Sequence, residues 1–303
     1  MTVVAIGCNG AGHASLDPVT NPPSEQVRRP KFDEKKAFDM LVKQCEFGPR
    51  PMGTPAHEKT AQFLLDELKK YADTTATQVS TYRGMPVTNV IGVFNPDASR
   101  KALLCAHWDT RPRADQEIAI GRRSRPILGA NDGASGVAVL LELARVFKEQ
   151  KPEIGIVMVF LDGEDYGDFE RDEGVFLGSR HFAKNVGDYR ADFGILLDMI
   201  GDKDLNIHRE QNSEQFAKPV NDKVFRIAKE LGYGKQFRDD IKYTISDDHM
   251  PINQTARIPT IDLIDFDYAP WHTLDDTVDK CSADSLKAVG ETLAELIYRE
   301  KKQ

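Results

Sequence analysis

Glu164 and Asp165 stand side by side just past an unbroken apolar run, Ile156-Val157-Met158-Val159-Phe160-Leu161. Carboxylates this close repel, so a cation or a shared proton is expected to neutralise them. One acid could then hold a metal while its neighbour moves protons. Other apolar runs end in further donors: His107 after 102–106, Asp198 after 193–197, and His272 beyond 259–264. Asp132 sits at the start of a helix, where the dipole favours a carboxylate. Neutral imidazole with carboxylate oxygens is a ligand set for zinc, and catalytic zinc needs three protein ligands and one open position. The chain offers enough donors for one such site, or for two.

Each donor alone has a bland reading. His107 fits a hydrogen-bonded histidine at a strand end, and Asp132 a first-turn acid. Asp198 could cap a turn beside Gly201, and His272 could lie in a surface turn with Asp275 and Asp276. The Gly129–Gly136 stretch lacks the spacing of a phosphate or dinucleotide loop. Joint order after successive strands is what favours chemistry, because open α/β sheets place ligands at the carboxyl ends of strands.

The elements that must position these residues follow from periodicity. Helical spacing covers 32–47, and Thr54-Pro55 reads as an N-cap and first helical position. Segments 78–82 and 87–94 read as paired strands. Helices are expected over 137–147, from about 220 to 231, and after Ser282. The stretch 168–178 reads as a charged loop. Strands alternate with helices, so the fold class is α/β, with a mostly parallel central sheet flanked by helices on both faces. No internal boundary interrupts 31–303, which reads as a single catalytic domain.

The chain has 303 residues, 40% hydrophobic, with a net charge of -8. That acidity argues against general nucleic-acid binding. No run is long enough for a transmembrane span. Cys8, Cys45, Cys105 and Cys281 form no C-x-x-C pair, which argues against a cysteine zinc site; they read chiefly as reduced core thiols. Val4-Ala5-Ile6-Gly7-Cys8 looks like the end of a lipoprotein signal, although the stretch before it is too short for one. Either the true start lies upstream or the match is chance. Residues 1–30 therefore read as a tether or a truncated signal region. On the first reading Cys8 carries a lipid anchor and the protein is periplasmic or at the cell envelope; the alternative is cytoplasmic. The arginines at 111, 113, 122, 123 and 125 read as a solvated loop, with a grip on substrate backbone as the second reading.

Several motifs occur in order: His107-Trp108-Asp109, Gly129-Ala130-Asn131-Asp132-Gly133, Asp162-Gly163-Glu164-Asp165, Leu177-Gly178-Ser179-Arg180-His181, Leu197-Asp198, Asp247-Asp248-His249 and Trp271-His272-Thr273. From Phe32 onward the chain resembles the zinc aminopeptidase fold, and within it the glutaminyl-peptide cyclotransferases, with Glu164-Asp165-Tyr166-Gly167 closer to bacterial than to animal members. The resemblance implies zinc held by Asp132, Asp165 and His272. It implies Glu164 as general base and acid, Asp198 and Asp247 as hydrogen-bonding acids, and Trp271 as a pocket wall. Asp248 and His249 would support the site from behind. The implied partners are peptides or proteins with N-terminal glutamine, and the product is pyroglutamate with ammonia. The alternative is a dinuclear zinc aminopeptidase, in which His107 and Asp198 hold a second metal bridged by Asp132. Asp247 before Asp248-His249, Trp271 before His272, and the Leu-Gly-Ser-Arg-His run favour the cyclase. The chain departs from animal members at Asp165, where they carry Glu, at Asp262, where they carry His, and in 167–175, which lacks a Trp.

Overall fold

The computed structural model describes residues 28–302. Cys8 and most of the proposed tether lie outside the described residues. Among the described residues eight strands form: β1 (Thr74–Tyr82), β2 (Met85–Phe94), β3 (Lys101–His107), β4 (Gly155–Leu161), β5 (Phe193–Asp198), β6 (Ile207–Glu210), β7 (Phe237–Tyr243) and β8 (Thr260–Ile264). Six of them make one sheet in the order β1-β2-β4-β3-β5-β8. The pairs β3/β4, β3/β5 and β5/β8 are parallel, while the hairpin β1/β2 adds an antiparallel edge. From β3 the chain steps outward first to β4 and then, on the other side, to β5. The switch point of the topology therefore lies beside β3, where a crevice opens at the strand ends.

Seven α-helices among the described residues cover the sheet: α1 (Glu34–Glu46), α2 (Pro55–Tyr71), α3 (Ala134–Glu149), α4 (Leu177–Lys184), α5 (Gln211–Glu230), the single turn α6 (His249–Pro251) and α7 (Ala283–Arg299). Strand side chains alternate between two apolar layers. Leu104, Ala106, Met158 and Phe160 face a layer built with α1, α2, α3, α5 and α7. Leu103, Cys105, Val157 and Val159 face a thinner layer holding Phe182 of α4 and Ile252 after α6. Caps fix where helices start. Thr54 accepts from the His57 N–H with Pro55 at the first position, as its sequence suggests, and Ser282 caps α7 in the same way.

Three expectations need correction. The charged loop ends at Phe176, because Leu177 and Gly178 already belong to α4. Helix α5 begins at Gln211, nine residues before the expected start, and is kinked at Ala217, just ahead of Pro219. Proline removes a backbone donor and clashes with the preceding turn, which masks the first half of such a helix in the sequence. The parallel pair β6/β7 has no expected counterpart, because Arg238 to Lys242 of β7 are exposed and carry no apolar alternation.

Candidate active site

Register brings the donors to one edge. His107 pairs with Leu161, three residues before Glu164, and Asp198 pairs with Ile264. The loop between β3 and α3 delivers Asp132, and the loop after β8 delivers His272.

Two buried donor sets share Asp132. The first is Asp132, Asp165 and His272; the second is His107, Asp132 and Asp198. His272 Nε2 lies 3.3 Å from Asp165 Oδ1 and 3.7 Å from Asp132 Oδ2. Ligands about 2.0–2.2 Å from a tetrahedral zinc stand roughly 3.4 Å apart, so these spacings suit that ion. Asp132 Oδ2 and Asp165 Oδ2 are buried without a hydrogen-bond partner, as expected of atoms that face a cation. In the second set His107 Nε2 is 3.1 Å from both Asp132 Oδ1 and Asp198 Oδ1. Burial alone would lower the His107 pKa, but Asp198, Asp109 and Asp132 raise it well above the ordinary value. Protonated, this imidazole would supply positive charge between the two carboxylates.

Glu164 is buried beside both sets. Loss of water, with Asp165 and Asp247 nearby, raises its pKa well above the usual carboxylate range, although His107 opposes the shift. Against the same burial, His272 and Arg111 hold Asp165 below that range. The adjacent acids thus separate into one that favours its proton and one that favours its charge. Burial and Asp198 push Asp247 up to about 7.

A cavity of about 430 Å³ reaches Asp132, Glu164, Asp198, Asp247 and His272. Its walls include Trp271 and Phe169. The Trp271 ring stacks on His272 with centroids 4.0 Å apart, and Phe169 lies 6.2 Å from the same imidazole. Phe169 thus supplies an aromatic in the loop that lacks a Trp. Four lining residues, Asp172, Phe176, Met199 and His272, hold positive φ without being glycine. Such conformations are costly and persist where surrounding structure imposes them, often at functional sites.

Asp248 and His249 lie behind the cavity wall. Ser179 Oγ donates to Asp248 at 2.5 Å, and His249 stands 3.5 Å from Glu210 and 3.8 Å from Asp262. His272 is 3% exposed, so the surface-turn reading fails.

The solvated-loop reading holds for Arg122, Arg123 and Arg125 but needs correction at Arg111. Arg111 is buried, not solvated. It donates to Asp165 Oδ1 at 2.7 Å and to both oxygens of Asp115. Asp115 lies 3.2 Å from His272 Nδ1 and so orients the imidazole. Other supports were absent from the sequence reading. Asp109 accepts from the Glu164 and Asp165 N–H groups, and Asp276 from those of Asn131 and Asp132. Arg50 donates to the carbonyls of Trp108, Leu128 and Gly129, tying two site loops together. Nothing in the Gly48–Gly53 sequence marks Arg50 as buried; its role follows from the long-range bonds alone.

Fold and site together define a zinc-dependent enzyme of the exopeptidase-like α/β class. Residues 89–297 match the model of peptidase family M28. A glutaminyl cyclase from Bacteroides thetaiotaomicron, solved with N-acetylhistamine bound, superposes with a TM-score of 0.86 at 42% identity, over 90% of this chain and 100% of that one. A Zn-dependent exopeptidase from Parabacteroides distasonis gives 0.86 at 37% identity, with the same coverage of 90% and 100%. The glutaminyl-peptide cyclotransferase of Drosophila melanogaster is 27% identical over 276 residues, 80% of this chain and 75% of its own length. The chain belongs to peptidase family M28 and, within it, to the glutaminyl cyclases.

Proposed function

We propose that residues 31–303 act as one catalytic domain that converts the N-terminal glutamine of peptides and proteins to pyroglutamate. The observation that carries this reading is the buried Glu164, whose raised pKa suits a base and acid, on a cavity shared with Asp247 and Trp271. Zinc held by Asp132, Asp165 and His272 would supply Lewis-acid polarisation of the glutamine side-chain carbonyl.

Glu164 takes a proton from the substrate α-ammonium, leaving a free amine. That amine attacks the side-chain carbonyl carbon; the new N–C bond closes a five-membered ring and the bond to the amide nitrogen breaks. Glu164 then returns the proton to the departing nitrogen, which leaves as ammonia, and the ring nitrogen gives up its second proton to solvent as the lactam forms. Asp198 and Asp247 accept hydrogen bonds from the amine and the leaving nitrogen. Trp271 packs along the glutamine methylenes and keeps the side chain bent towards its own amine, an intramolecular arrangement that removes much of the entropic barrier. Asp248 and His249 hold the wall that carries Asp247.

His107 Nε2 lies 3.1 Å from an oxygen of both acids of the second set, so a protonated imidazole there would neutralise them without a second metal. The dinuclear aminopeptidase is retained as the second reading because the same three residues form a complete donor set. Glu164→Gln tests the base directly. Ammonia release should fall by about 10²–10⁴-fold while zinc content stays at the wild-type level. Full activity in that variant sinks the assignment.

A further inference from the structure

The segment 114–125 leaves and rejoins the fold at nearly one point. The Ala114 N–H donates to the Arg125 carbonyl at 2.8 Å, and the Ile127 N–H to the Arg111 carbonyl at 3.2 Å. Closed ends of this kind make an Ω-type loop. Its inner side is well seated. The Gln116 N–H donates to the His272 carbonyl, the Leu274 N–H to Glu117 Oε2, and Arg123 Nε to the Glu117 carbonyl.

Its tip is the opposite of a core. Ile118 and Ile120 are 94% and 79% exposed. Single exposed aliphatics are ordinary, but two on one short tip are not scattered. Arg122, Arg123 and Arg125 follow at once and are all exposed. Glu117, with its side chain only 12% exposed, stands 3.6 Å from Arg122 and offsets part of that charge, so Arg123 and Arg125 are the main cationic groups of the tip. The loop therefore presents apolar and cationic groups together, on a chain whose net charge is -8. An anionic surface repels most of this molecule and attracts this tip.

We propose that the 114–125 loop seats the protein on anionic phospholipid bilayers. Ile118 and Ile120 enter the boundary between headgroups and acyl chains, and Arg122, Arg123 and Arg125 meet lipid phosphates. A bilayer accepts bare aliphatic side chains without a shaped pocket, whereas an acidic protein partner offers the arginines a match but needs a complementary hollow for the isoleucines. The loop is bonded to the backbone of His272, a lining residue of the cavity, so the membrane contact lies on the side of the fold that carries the candidate site. The inference is independent of the reaction performed in that cavity.

The test uses the full chain with Cys8→Ser in every arm, so that no acyl group contributes. Flotation with vesicles of phosphatidylcholine and about 30% phosphatidylglycerol should carry the protein, and pure phosphatidylcholine should carry far less. Ile118→Ser with Ile120→Ser should weaken binding at least about tenfold. Arg123→Gln and Arg125→Gln should each weaken it about fivefold, and Arg122→Gln less, because Glu117 already offsets its charge. Added salt should weaken binding further as the Debye length shrinks from about 10 Å at 0.1 M to about 3 Å at 1 M. Melting temperatures unchanged by the substitutions would show that the loop alone was altered. Failure of the parent chain to float with anionic vesicles overturns the proposal. So does equal flotation of the isoleucine variant, or capture by immobilised polyglutamate without flotation, which reassigns the tip to a protein partner.

Discussion

At the scale of single residues, the site depends on acids and bases that touch no substrate. Asp115 orients His272 through Nδ1 and is itself gripped by Arg111, which also reaches Asp165. Partners of this kind set the tautomer and direction of a metal-binding imidazole, and their loss commonly costs about 10–100-fold in metal affinity. Asp115→Asn should therefore weaken zinc binding by about that factor, while kcat at saturating zinc changes much less. Competition with a chelator of known affinity measures it, and an unchanged affinity removes Asp115 from this role. The sequence made the proposed ligands legible because each follows an apolar run or a helix start. It hid Asp115 and Arg111, whose partners lie 157 and 54 positions away in the chain, His272 and Asp165. A loop rich in arginine looks solvated until such long-range pairing is known.

At the scale of elements, strand ends and helix starts must meet closely. Helix α3 begins at the strand edge, and its Gly136 lies against β3 and β5. A Cβ on Gly136 would stand 2.4 Å from the Leu197 carbonyl oxygen and 2.9 Å from the Ala106 Cβ. Neither neighbour is a flexible side-chain end, so the helix or the strands would have to move. Gly136→Ala should destabilise the fold by about 1–3 kcal/mol, the usual cost of overpacking. At about 2–4 °C per kcal/mol for a chain of this size, the melting temperature should drop by several degrees. A melting temperature equal to or above the parent's would show that the close approach is not required. The apolar strands and capped helices of this layer were readable because period and caps are local. The β6/β7 pair and the first half of α5 were not, since one is polar and the other is masked by Pro219.

At the scale of the whole molecule, buried charge governs stability against pH. Asp265 and Asp276 are pushed up to about 7, and Asp162 to about 6, chiefly by burial. An acid whose pKa is raised on folding binds its proton more tightly when folded, so its contribution fades as pH rises from about 4 to about 7. Burial would lower His272, but Asp165 and Asp115 raise it to about 9. A raised histidine contributes stability below its unfolded pKa of about 6.5 and loses it as pH rises through about 9. Both kinds of group act in the same direction. The metal-free chain should therefore melt at lower temperature at pH 8 than at pH 5. Zinc requires its ligands unprotonated, so the gap between zinc-loaded and metal-free melting temperatures should widen with pH. Thermal melts across that range check both signs, and a metal-free melting temperature that rises with pH contradicts them.

The central claim is one catalytic zinc serving cyclisation. The direct measurement is a zinc titration of the chelated chain, with ammonia release from a glutaminyl peptide as the signal. Ammonia release should rise linearly and break at one zinc per chain, with an amino-acid anilide left uncleaved. A break at two zinc ions per chain, with anilide cleavage in place of ammonia release, would contradict it.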